Sequence, residues 1–274
     1  MKSPFINQEP TSFERYTRQL DLPEIGLSGQ RKLAGSSVCV VGAGGLGSPL
    51  LTALAGAGVG RIGICESDHV EGSNLNRQFF YSPGQIGQSK IALALAFLRQ
   101  YQPETEWIGY KKRLTAEDAS KMVRSYDLVL AAVDNRKTRC LLNQAACEAG
   151  RSFIDAGIKG WDGYVLFVNP GLTACYVCFC GGCAPEESAS GIKTDKAEKT
   201  GQKTKAESQK PEKPSVIGAT AGLIGSLQAQ IALRWLLLGD GAMPKDLLLY
   251  NGEAAQISKV KLKRMPGCPI CGSL

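Results

Sequence analysis

Short unbroken apolar runs alternate with longer segments whose apolar positions recur at helical spacing, and this holds from about Ser37 to Asp155. The run Ser37–Val41, apolar after its first residue, predicts a strand buried on both faces and therefore a parallel sheet. A helix is expected from just after Gly45 to about Ala57, and a second strand from Arg61 to Glu66. Residues 86–101 read as an amphipathic helix. Strand-like Trp107 to Lys112, a helix over Ala116–Ser125 and a strand over Asp127–Ala132 continue the pattern. A helix near Lys137–Ala149 and a strand at Ser152–Asp155 close it, while residues 11–33 read as two short helices. Such β–α alternation predicts an α/β class fold, a Rossmann-like doubly wound and mostly parallel sheet. From Gly163 the pattern changes: Tyr164–Val168, Leu247–Tyr250 and Gln256–Lys261 suit strands that pair antiparallel.

No internal repeat and no domain boundary interrupts residues 1–274, so one domain is expected. It would comprise N-terminal helices over 11–35, a nucleotide-binding half over 37–160 and a second half over 161–274. At 274 residues and 43% hydrophobic composition, the chain can bury a full core. Met1 to Pro10 is polar and mixed, so a secretory signal is not expected. The most apolar stretch, Val216 to Leu238, contains Gln228, Gln230 and Arg234, which suits a core helix and not a membrane span. A cytoplasmic location follows as the expectation.

The net charge of +7 invites a nucleic-acid reading, but much of it is local. Between Lys193 and Lys213 seven lysines face four carboxylates, with no aromatic residue and no apolar periodicity. Residues 184–214 are therefore expected to form a flexible lysine-rich loop, and nucleic acid is not an expected partner. Ten cysteines in such a chain should mostly be thiols or metal ligands and not disulfides. Cys39, Cys65, Cys140 and Cys147 lie in apolar segments and read as small buried hydrophobes.

The candidate chemistry begins at Val41-Gly42-Ala43-Gly44-Gly45-Leu46-Gly47, a strand-to-helix turn whose glycines allow backbone N–H groups to approach a phosphate. Glu66, 19 residues after Gly47, ends the second strand where a carboxylate can accept ribose hydroxyls, and Asp68 lies on the same rim. Arg77, in Ser73-Asn74-Leu75-Asn76-Arg77-Gln78, and Lys90 are cations fed to the same edge, suited to phosphate charge growing in a transition state. Asp134, followed by Asn135, sits at the carboxyl edge after an apolar strand, as a Mg²⁺ ligand or alternatively as a helix N-cap. Cys175/Cys178 and Cys268/Cys271 form two Cys-x-x-Cys hooks, which predict a closed, structural Zn²⁺ site. Cys180 and Cys183 overlap the first hook and remain alternative ligands. His69, the sole histidine, is incidental.

Taken together, Arg15-Tyr16-x-Arg18-Gln19, the glycine turn, the S-N-L-x-R-Q run, Lys90, Asp134-Asn135 and the paired C-x-x-C hooks resemble the ThiF/MoeB/HesA family, bacterial relatives of the ubiquitin-activating enzyme. The resemblance covers about residues 12–272, apart from roughly 180–214. It implies an ATP-dependent adenylyltransferase that activates the C-terminal glycine carboxylate of a small ubiquitin-like sulfur carrier ending in Gly-Gly, releasing pyrophosphate. It implies that Gly42, Gly44, Gly45 and Gly47 shape the phosphate site, with Gly45 approaching the phosphates, and that Glu66 holds the ribose. It further assigns the phosphates to Asn74 and Arg77, with Lys90 on the α- or β-phosphate, counts Ser73, Asn76, Gln78 and Asn135 among the nucleotide-binding residues, and gives Mg²⁺ to Asp134. The same resemblance makes the second half carrier-binding and the enzyme a homodimer, with Arg18 reaching into the partner's site. Two departures stand out: Glu66 replaces the usual Asp, and Ser215 stands where relatives often carry a thiol that in some takes part in sulfur transfer. The chain then adenylates only, or Cys180 or Cys183 serves instead. Competing readings are an NAD(P)-dependent oxidoreductase, which leaves Arg77, Lys90 and the cysteine hooks without a purpose, a relative acting on another carboxylate or a modified tRNA, and a catalytically silent scaffold.

Overall fold

The structure is a computed structural model that describes residues 14–183 and 215–272. The polar start Met1–Pro10 and the expected loop over 184–214 lie outside the described residues. Eight strands form a single sheet in the order β3-β2-β1-β4-β5-β6-β7-β8. Those strands are β1 Ser37–Val41, β2 Arg61–Cys65, β3 Glu106–Tyr110, β4 Leu128–Ala131, β5 Phe153–Lys159, β6 Asp162–Val168, β7 Leu247–Asn251 and β8 Gln256–Val260. The first five pair parallel, and β5–β6, β6–β7 and β7–β8 pair antiparallel, as the change of pattern at Gly163 predicts. β1 is buried at all its positions, because helices cover both faces of the parallel part.

The helices are α1 Thr17–Leu20, α2 Gly26–Ala34, α3 Gly47–Gly56, α4 Lys90–Tyr101, α5 Ala116–Ser125, α6 Arg136–Glu148, α7 Tyr176–Cys180 and α8 Gly218–Leu238. One core joins α3, α4 and α8 to one face of the sheet, and a second joins α5, α6, α7 and the paired cysteines to the other. α8 is long and apolar enough to cross a membrane. It packs instead along α3, β5 and β6, where buried Gln228 donates to the carbonyls of Ala131 (2.9 Å) and Ile154 (3.2 Å). Gly225 permits this approach, since a Cβ there would lie 2.5 Å from the Leu46 carbonyl.

Three sequence expectations need correction. The helix expected from Ile86 begins at Lys90, because Val70 N–H donates to Gln88 O and Gly87 N–H to Val70 O, which hold 86–88 in a turn with Gly87 at a φ of 84°. Cys140 is not a simple buried thiol: it forms a disulfide with Cys183. Gly181 and Gly182, with φ of 72° and 131°, turn the chain back after α7 and bring Cys183 to α6. The N-cap of α6 is Asn135, whose side chain accepts from Thr138 N–H at 2.9 Å, so Asp134 does not serve as that cap.

Candidate functional site

The strand order places a crossover between β1 and β4: the chain leaves β1 toward β2 and β3 on one side and returns to β4 on the other. Ligands of open α/β sheets bind at the carboxyl edge of such a point. Here that edge is the glycine turn. Gly42 has a φ of 102°, and a Cβ on it would meet the Ala132 carbonyl oxygen at 2.4 Å. A Cβ on Gly47 would meet the Gly42 carbonyl oxygen at 2.1 Å. Both glycines are thus required by the turn itself, which leads into the N-terminus of α3.

The turn is held from two sides at Ala43. Its N–H donates to Glu66 Oε2 at 3.0 Å, and its carbonyl accepts from the buried Tyr81 hydroxyl at 2.8 Å. Burial, with Glu66 and Asp68 adding to it, pushes the Tyr81 phenol well above its usual range, so it stays a donor. Glu66 also accepts from the N–H groups of Ser67 and Asp68, at 2.8 and 2.9 Å. The Glu66 carboxylate therefore ties the end of β2 to the glycine turn. Asp68 is exposed on the same rim. Tyr81 escaped the sequence reading because nothing local marks a tyrosine that reaches 38 residues back.

Arg77 and Lys90 come to this corner by different routes. The stem of Arg77 lies over Gly45, its Cγ 3.2 Å from the place of a Cβ. Its guanidinium donates to Ser73 O (2.7 Å) and Asn76 Oδ1 (2.9 Å), so two members of the polar run orient the cation. Asn74 is buried in that run and accepts from Glu71 N–H. Gln78 packs on Gly44. Lys90 arrives because residues 68–70 run antiparallel to 87–90, with Lys90 N–H bonded to Asp68 O at 3.0 Å. It is only 5% exposed, and no carboxylate among the described residues pairs with its ammonium. A buried cation of this kind calls for an anion. Gln78 Oε1, on the side chain that packs on Gly44, and Ser89 Oγ, on the residue before Lys90, are buried with no hydrogen-bond partner among the described residues. Asp134 is exposed at the same edge, just beyond β4, with Asn135 turned to its cap duty.

Arg18 stands elsewhere. Its neighbour Gln19 donates to Ala57 O at 2.9 Å, at the C-terminal end of α3, whereas the glycine turn is at the opposite end. The ten residues of α3 separate the two by about 15 Å.

On the other face, Cys175, Cys178, Cys268 and Cys271 bring four sulfurs within 4.8 Å of one another, all buried. Sulfur separations of 3.9 Å (Cys175–Cys178), 3.7 Å (Cys175–Cys268) and 3.5 Å (Cys178–Cys271) bracket the roughly 3.8 Å edge of a tetrahedron with Zn–S bonds of about 2.3 Å. Met265 N–H donates to Cys178 Sγ at 3.3 Å, the kind of contact that favours thiolate. The donor set fits Zn²⁺ with no position left for water. Cys183 is excluded as a rival ligand by its disulfide, and the Cys180 sulfur lies outside the cluster, 2.9 Å from Gly182 O.

A family model described as the ThiF family matches residues 16–270. The chain is 39% identical over 265 residues to a sulfur carrier protein adenylyltransferase of Thermus thermophilus, covering 94% of this chain and 90% of that one. It is 35% identical over 259 residues to the mouse adenylyltransferase and sulfurtransferase MOCS3, covering 94% of this chain. It spans about half of that longer relative (52%). Among solved structures, Escherichia coli MccB superposes with a TM-score of 0.73 at 20% identity, covering 95% of this chain and 73% of that one. MccB with ATP gives a TM-score of 0.69, also at 20% identity, over 89% and 68% of the two chains. At that identity the likeness is one of fold.

Proposed function

The chain belongs to the ThiF family, and from that premise we propose that it is an ATP-dependent sulfur-carrier protein adenylyltransferase. The relative from Thermus thermophilus supports the activity across nearly its full length. The single observation that carries the site assignment is the buried Lys90, which no carboxylate among the described residues pairs, near a glycine turn overlaid by Arg77.

The reacting group is the C-terminal glycine carboxylate of a small ubiquitin-like carrier ending in Gly-Gly. One carboxylate oxygen attacks the α-phosphorus of ATP. The bond to the oxygen bridging to the β-phosphate breaks, and pyrophosphate leaves with that electron pair. The product is an acyl adenylate. A carboxylate is already ionised at neutral pH, so no general base is needed, and the work reduces to alignment and charge stabilisation. N–H groups at the start of α3 face the phosphates, and Arg77 and Lys90 neutralise charge as it shifts toward pyrophosphate. Asp134, with its exposed carboxylate beyond β4, would hold Mg²⁺, which screens the polyphosphate. Ribose hydroxyls fall to the rim of Glu66 and Asp68. Zn²⁺ in the four-cysteine site is structural and takes no part in the chemistry.

Arg18 lies too far from its own glycine turn to serve it, which supports action in the site of a second copy. An exposed apolar groove lined by Pro49, Ala53, Phe79, Phe97 and Tyr101, between α3 and α4, gives such a homodimer a surface to bury. A cytoplasmic location completes the reading.

Incubating the protein with ATP and candidate Gly-Gly-ended small proteins, followed by mass spectrometry, tests it. The expected result is a carrier heavier by one adenylyl group, with carrier-dependent exchange of pyrophosphate into ATP. Oxidation or reduction of a nicotinamide cofactor in place of that exchange would overturn it.

A further inference from the structure

Arg139, on the second turn of α6, reaches back toward the start of its helix and joins three elements that are distant in the chain. Its guanidinium donates to Val133 O (2.5 Å), immediately before Asp134, and to Ala156 O (2.9 Å) on β5. It also donates to the Tyr164 hydroxyl (2.6 Å) on β6. The Tyr164 hydroxyl donates onward to Asp155 Oδ2 at 2.7 Å, and Asp155 Oδ1 lies 3.4 Å from Arg139 Nε. Asp155 is fully buried and the Arg139 side chain is 13% exposed. This pair is therefore shielded from solvent and from salt, and a shift of either partner leaves a charge without compensation.

The placement matters more than the pairing. β5 and β6 are the strands between which the sheet turns from parallel to antiparallel. The pairing of β4 with β5 ends at Ala131 and the last bond toward β1 is Ala132 N–H to Val41 O, so the Arg139 bond to Val133 O holds the chain beyond both. We propose that Arg139, held by Asp155 and Tyr164, is a positioning residue that fixes the Val133–Asp134 corner and so aims the Asp134 carboxylate at a divalent cation on the triphosphate. The inference rests on the assignment of Asp134 made above. Side chains behind a metal ligand commonly decide how well the ligand is oriented.

The test is calorimetric binding of ATP, with saturating Mg²⁺ and in EDTA, to the wild type, Tyr164→Phe, Arg139→Lys and Asp134→Asn. Tyr164→Phe keeps the ring against Phe179 and removes only the hydroxyl bridge. It is expected to lose about tenfold of the Mg²⁺-dependent gain in affinity while binding in EDTA stays within about twofold. Arg139→Lys should lose more of the same gain. An intact Mg²⁺ gain in Tyr164→Phe, or equal losses with and without Mg²⁺, would overturn the proposal. Should Arg139→Lys melt early, Tyr164→Phe decides alone. If Asp134→Asn keeps the gain, the assignment of Asp134 fails and the proposal with it. If Asp134→Asn loses the gain and the Arg139 and Tyr164 variants keep it, the proposal fails by itself.

Discussion

The two ends of the molecule gather charge by opposite means. At the glycine corner, Arg77 comes from a loop and Lys90 from the start of α4, and both are placed by backbone geometry: the Arg77 stem over Gly45, an antiparallel pair of segments at 68–70 and 87–90, and a tyrosine holding Ala43. At the cysteine clamp, four side chains from two hooks about 90 residues apart can be tied by one ion. The first arrangement stands without its ligand, because each group is held by bonds to neighbours. The second depends on its ligand, because four neighbouring thiolates repel one another until a cation joins them. On the proposed function, a preformed phosphate corner and a metal-dependent tail should therefore be separable.

Variants at the two ends should behave differently. Arg77→Ala is expected to lower carrier-dependent pyrophosphate exchange by about 10²- to 10³-fold, with the melting temperature almost unchanged. A loss that tracks a lower melting temperature would mean that Arg77 belongs to the scaffold. Asp155→Ala should act in the reverse sense, costing about 3–5 kcal/mol in chemical denaturation by stranding the buried Arg139 charge. Stability near that of the wild type would show that the pair is dispensable to the fold.

Removal of metal by a chelator, or Cys271→Ser, should raise hydrogen exchange in residues 262–272 and around α7, while ATP affinity changes by less than about threefold. Equal losses at both ends would dissolve the contrast. Mixing Arg18→Ala with Arg77→Ala protein should restore activity toward about one quarter of wild type, since half the random dimers hold one intact site of two. No recovery, with subunit exchange verified, would remove Arg18 from the partner's site.

The smallest effect concerns two core thiols. Burial pushes Cys65 up to about 12 and raises Cys39 strongly, so both stay protonated and unreactive until the pH approaches those values. Peptide mapping after brief alkylation near pH 8 should find Cys180 modified and these two spared. Early labelling of Cys39 in folded protein would show that the core around β1 opens.

Much of this was legible before any coordinates. Residues 37–41 and 116–125 behave as their patterns demand, and the change to antiparallel pairing follows the change of pattern at Gly163. The glycine turn, both cations and the two cysteine hooks are recognisable because their chemistry is carried by residue type and spacing. Other features were not. Asp134 and Asn135 are adjacent polar residues with equal claims to the cap, and only the helix direction gives it to Asn135. Cys140 looked like its buried neighbours until Gly181 and Gly182 turned Cys183 back to it. Arg139 resembled any helical arginine, since its partners lie on β5 and β6 and on a carbonyl that carries no sequence signature.

The amino-acid order by itself determined the alternating α/β architecture, the glycine turn between β1 and α3 and the thiol pairs, because local periodicity and side-chain chemistry suffice for each. Tertiary structure alone decided that Glu66 braces Ala43, that Lys90 stands buried with no carboxylate paired to it among the described residues, and that Arg18 sits at the end of α3 opposite the glycine turn. Those facts depend on which distant segments meet, and burial and direction arise only once the sheet has brought its strands together.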